Sequence, residues 1–149
     1  MTVGIKLGNI TDEIGAASFL YSFFSTIAAK LEPEGWGSRF PVLQRNLYSG
    51  ELSSGDAGAA LDELALVRTE LARFPPKAVV WDYQDRSKTP PWGDDIADTI
   101  TDLSNYFVTS TGRDLIGGFE EVFEALKESP GIAKLVQYQA DAIEFVRPD

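Results

Sequence analysis

Three long stretches of this chain repeat apolar residues at helical spacing, while a few short ones alternate or run apolar throughout. Val3, Ile5 and Leu7 alternate with polar neighbours, which predicts a first strand over residues 2–7. Asn9 to Asp12 reads as a turn, with Thr11 or Asp12 as the N-cap of a helix and Glu13 in its first turn. Residues 14–31 are the most apolar segment. Ile14, Ala17, Tyr21, Phe24, Ala28 and Leu31 mark a helical repeat that Phe19, Leu20, Phe23 and Ile27 widen most of the way round. This predicts a central helix buried on several sides. It is shorter than the roughly 20 residues a bilayer needs, and it contains Ser18, Ser22, Ser25 and Thr26. Acidic Asp12 and Glu13 precede it where a signal peptide carries positive charge.

Pro33, Gly35 and Gly37 break that helix, with Trp36 in the break. Leu43 and Leu47, one turn apart after Pro41, predict a short helix over 42–48 with Gly50 as its C-cap. From 57 to 74 the signal is strong: Leu61, Leu64, Val67, Leu71 and Phe74 share a face, and Pro75-Pro76 stop the helix. Residues 78–83 are β-branched, aromatic and nearly continuously apolar, which predicts a buried strand. A Pro90-Pro91-Trp92-Gly93 turn follows. Ile96, Ile100 and Leu103 then predict a helix over 94–103, and Tyr106-Phe107-Val108 a strand over 105–109. Thr111 to Asp114 resembles a capping box. Leu115, Phe119, Val122, Phe123 and Leu126 continue as a helix, weakened by Gly117-Gly118. Ser129-Pro130 opens a further helix through Ile132, Leu135, Val136, Gln139 and Ile143, with a strand over 141–146 as its competitor. These elements define one α+β domain over residues 1–149: a small, about three-stranded sheet packed with four to six helices.

Composition narrows the chemistry. The 149 residues are 44% hydrophobic and 24% charged, ordinary for a globular chain. Formal net charge is −10, which argues against nucleic acid or an anionic membrane as partner and suits either a basic protein partner or solubility alone. Cys and His are both absent, which removes disulfides, thiol nucleophiles, histidine bases and the usual zinc sites. No cofactor-binding glycine motif occurs. Carboxylates remain, and Asp82, Asp85, Asp94 and Asp95 are an oxygen set that a magnesium-dependent enzyme could use.

Asp94, Asp98 and Asp102 would share one face of the 94–103 helix with no cation between them, at a cost of a few tenths of a kcal/mol per pair. That stripe is either a solvated face or a binding surface. Trp81 reads as core; Trp92 reads as a hydrophobic plug or a binding anchor.

Four motifs in order carry a resemblance. They are Phe40-Pro41-x-Leu43-x-x-x-Leu47-Tyr48-x-Gly50-x-Leu52, Val79-Val80-Trp81-Asp82, Pro90-Pro91-Trp92-Gly93 and Asp102-Leu103-Ser104-Asn105-Tyr106-Phe107-Val108-Thr109-Ser110. From about Phe40 to Leu126 the chain resembles bacterial polymorphic-toxin immunity proteins, specifically the immunity protein 70 family. The resemblance implies a small cytoplasmic protein, encoded beside a secreted toxin, that binds the toxin and blocks it without catalysis, metal or cofactor. On that reading Asp82, Asp85, Trp92, Asp94, Asp95, Asp98 and Asp102 are the candidate partner-binding residues. The competing readings are the magnesium enzyme and an acidic adaptor for another basic protein.

Overall fold

The computed structural model describes residues 1–138. Strand β1 (Thr2–Leu7) forms as expected, but it turns straight into a second strand, β2 (Ile10–Ala16). Gly8 and Asn9 make a two-residue hairpin with Leu7 opposite Ile10, and Gly8 takes a φ of 63° that suits glycine at the first turn position. Thr11 and Asp12 therefore pair with Lys6 and Ile5 in a ladder and do not cap a helix. The register slips between Val3 and Gly4, and Ile14 and Gly15 are buried there. Gly4 is required at this point: a Cβ would stand 2.7 Å from the Asp12 carbonyl oxygen.

Helix α1 (Ala17–Leu31) begins directly after β2 and is the central element expected, with ten of its residues buried, among them Phe23, Phe24, Ser22, Ser25 and Thr26. The short helix at 42–48 is present as a π-helix, Val42–Leu47, closed by Tyr48 N–H donating to Leu43 O at 3.1 Å. A three-residue strand, β3 (Glu51–Ser53), and a 3₁₀ turn lead into α2 (Ala57–Leu71). Helix α3 (Leu115–Glu128) follows the apolar repeat, but its N-cap is Asp114, whose side chain accepts from Gly117 N–H at 2.9 Å; Thr111 lies before it.

Residues 132–138 overturn the helix expected after Pro130. They form β4 (Ile132–Tyr138), which inserts between β1 and β3 to give a four-stranded antiparallel sheet of order β2-β1-β4-β3. Ile132, Leu135 and Val136 fit a helical repeat, yet β1 and β3 each offer an unpaired ladder edge, and β4 fills both. The strand expected as a competitor over 141–146 lies outside the described residues. Ile5, Ile14, Leu52 and Ala133 turn from the four strands into one core with Phe23 of α1 and Phe119 of α3.

The two other expected strands are not part of the sheet. Residues 78–83 are a 3₁₀ turn, Pro76–Ala78, followed by unpaired chain, and 105–109 contribute only an isolated bridge between Val108 and Asp114. The helix expected over 94–103 is likewise absent, replaced by turns. Residues 75–110 thus form an irregular strap over the body.

Candidate functional site: the strap and its groove

The strap is ordered by side chains of the body. Small hydroxyl residues line one side of α1 where the strap crosses it. Ser22 Oγ donates to Val80 O at 2.8 Å, Thr26 Oγ1 bonds both the carbonyl and the N–H of Val80 at 3.1 Å, and Ser25 Oγ accepts from Tyr83 N–H at 3.1 Å. These hydroxyls do for Val80 what a neighbouring strand would do, which explains how a strand-like sequence lies extended without a sheet. At the far end Leu103 N–H donates to Phe74 O at 3.0 Å.

Trp81 is half-buried and meets Trp92 edge to face, with ring centroids 5.3 Å apart at 87°. Gly93 N–H closes the Pro90–Gly93 turn on Pro90 O at 3.0 Å. The turn lays the Trp92 ring against Phe19 and Tyr106, with Trp92 Nε1 donating to Tyr106 Oη at 2.8 Å. Trp92 still shows 36% of its surface, so it plugs the body with one part of the ring and presents another. Trp36 sits apart, among Tyr21, Tyr48 and Tyr83, donating to Gln44 O at 2.8 Å.

The acidic candidates divide by what they hold. Asp82 Oδ1 accepts from the N–H groups of Gln84 and Asp85 at 2.9 and 3.1 Å, and its other oxygen lies 3.6 Å from Lys88 Nζ. Asp85 accepts from Ser87 Oγ at 2.5 Å and from Ser87 N–H; the hydroxyl is the main reason its carboxyl lies below the usual range. Asp102 accepts from Ser104 Oγ, the main cause of its own lowered pKa, and from Ser104 N–H at 2.7 Å. These three carboxylates shape turns. Asp94, Asp95 and Asp98 are exposed. No common stripe exists, because no helix carries it: repulsion at that spacing and the bond Asp102 accepts from Ser104 N–H favour turns. Among the described residues no three carboxylates stand close enough to hold one metal ion.

Sequence reasoning missed two features. One is a groove of about 760 Å³ between the end of α1, the Pro75–Ala78 turn and the loop through Pro90, which Lys30, Lys77, Arg86 and Lys88 line. Lys77, Arg86 and Lys88 all flank the expected strand, so a local excess of cations was the available signal. The other is a pair of anchoring carboxylates. Glu32, 2% exposed, accepts from the N–H groups of Gly37, Arg39 and Phe40 and from Gln44 Nε2. Glu63 accepts from Val42 and Leu43 N–H at the start of the π-helix, and burial pushes its carboxyl above the usual range.

Comparison with known proteins adds one decisive finding. No curated protein and no solved structure matches the chain. The family model of immunity protein 70 matches residues 5–133, reaching well beyond the 40–126 span of the sequence resemblance at the N-terminal end and taking in β2, α1 and β3 as well as the strap. The chain belongs to the immunity protein 70 family.

Proposed function

We propose that this protein is a non-enzymatic inhibitor that binds a cognate secreted bacterial toxin one to one in the cytoplasm and blocks it by occlusion, using the strap face. The family match over residues 5–133 carries the reading. A net charge of −10 supports a toxin domain with a basic surface, for which long-range attraction speeds encounter. Within the strap, Trp92 and the exposed Asp94, Asp95 and Asp98 are the contacts; Asp82, Asp85 and Asp102 hold the loops that present them. Trp92 suits an anchor because its ring is already fixed by Tyr106 and Trp81, so little freedom is lost on binding.

Co-expression with the toxin domain encoded beside this chain tests the reading. Cells are expected to survive, and the purified proteins to form a 1:1 complex with Kd below about 100 nM. Survival without a complex, or turnover of the toxin's substrate by this protein alone, contradicts it.

A further inference from the structure

The groove reverses the sign of the protein around it. Lys30, Lys77, Arg86 and Lys88 line it against a single carboxylate, Asp94, in a chain whose formal net charge is −10. Lys88 has Asp82 at 3.6 Å. Among the described residues no carboxylate lies within 4.0 Å of the charged groups of Lys30, Lys77 or Arg86. Arg86 is instead placed over the Tyr83 ring, its Cζ 5.1 Å from the centroid, with Nε donating to Tyr83 O at 3.1 Å. Its terminal nitrogens carry no hydrogen bond among the described residues, and they form the fork that fits a carboxylate. Trp81 and Tyr106 supply an aromatic lining. Like charges gathered in one place cost the free protein energy, and the fold draws no pairing from three of the four.

We propose that the groove receives an acidic segment of the toxin: an extended stretch whose Asp or Glu carboxylates meet Lys77 and Arg86 while an apolar side chain lies on Trp81. This rests on the toxin-binding reading and names the chemistry of one contact within it. A compact phosphate is disfavoured by the same geometry. Lys30 stands in the last turn of α1, so the helix presents its negative end here, and Asp94 shares the rim. Carboxylates spaced along a chain avoid both, and an aromatic lining serves a side chain better than an inorganic anion.

The test uses the complex with the neighbouring toxin domain. Zero-length carbodiimide coupling, which joins amines to carboxylates, is expected to link Lys77 or Lys88 to acids of one toxin segment. Lys77→Glu with Arg86→Glu is expected to raise Kd about 30-fold or more, with recovery when the coupled toxin acids are changed to Lys. Both side chains are exposed, so the melting temperature should hold; Lys77→Gln with Arg86→Gln is the milder variant and should weaken binding less. Unchanged affinity in both variants, with the wild type binding, overturns the groove assignment alone. A wild type that does not bind removes the toxin-binding reading, and this proposal with it. Pyrophosphate that binds the free protein and competes with the toxin overturns the acidic segment in favour of a free phosphate.

Discussion

The strap is less apolar than the body but at least as rich in aromatic residues, and the two obtain their order in different ways. In the body, β1 lies between β2 and β4 and the helices satisfy their own backbones, so polar groups are paired before any side chain is counted. The strap has almost no such ladder. Beyond single turn bonds such as Gly93 N–H to Pro90 O, its backbone is held by Ser22, Ser25 and Thr26 from α1 and by aspartates within its own turns, with the rings around Trp92 packing it down. Order borrowed from side chains can be removed one group at a time. Order built into a ladder fails all at once, and this difference can be tested.

The largest effect should come from the body. Phe23, fully buried against Phe24, Phe107 and Phe119, should cost about 3–5 kcal/mol as Phe23→Ala and lower the melting of body and strap together. Glu32→Ala should follow at about 3 kcal/mol, since it strands the buried N–H groups of Gly37 and Phe40; a cost under 1 kcal/mol in urea unfolding would show that the nest is solvated.

Ser22→Ala with Thr26→Val sharpens the comparison. The pair should cost about 1–3 kcal/mol, and amide exchange should speed up over residues 79–84 while β1 and β4 stay protected. Uniform loss of protection would mean that the strap is as cooperative as the sheet. Trp81→Ala, a half-buried position, should cost about 2–3 kcal/mol, less than a fully buried tryptophan.

The smallest effect is a pH dependence. Arg39 holds the Glu70 carboxyl below its ordinary value through paired hydrogen bonds at 2.6 and 2.7 Å. A depressed folded pKa gives stability that is present above the unfolded value and lost as pH falls through the folded one. The pair is partly exposed, so Glu70→Gln should flatten acid unfolding by only a few tenths of a kcal/mol up to about 1. Glu63, raised by burial, has the opposite sign: its contribution is lost as pH rises through its folded value.

The same division marks what could be read from the sequence. Helices α1, α2 and α3 were legible because long apolar repeats report packing on one body, and β1 because its alternation is clean. The hairpin was missed although Gly8-Asn9 is a two-residue turn signal; the acidic and Thr residues of β2 resemble a helix start when read locally. Strand β4 was missed because its slot is defined by β1 and β3, far away in sequence. Residues 78–83 misled in an instructive way: their composition is that of a buried strand, but the partner is a row of helix hydroxyls, which periodicity does not reveal. The acidic stripe rested on a helix that does not form, and its members now have separate roles.

Hydrogen–deuterium exchange of this protein, free and bound to the toxin domain encoded beside it, tests the central claim that the strap is the binding face. New protection is expected to concentrate in residues 77–98, including the Pro90–Gly93 turn, with the edge strand β3 and the exposed side of α2 unchanged. Protection confined to β3, α2 or the open side of the sheet, with the strap exchanging as in the free protein, would contradict it.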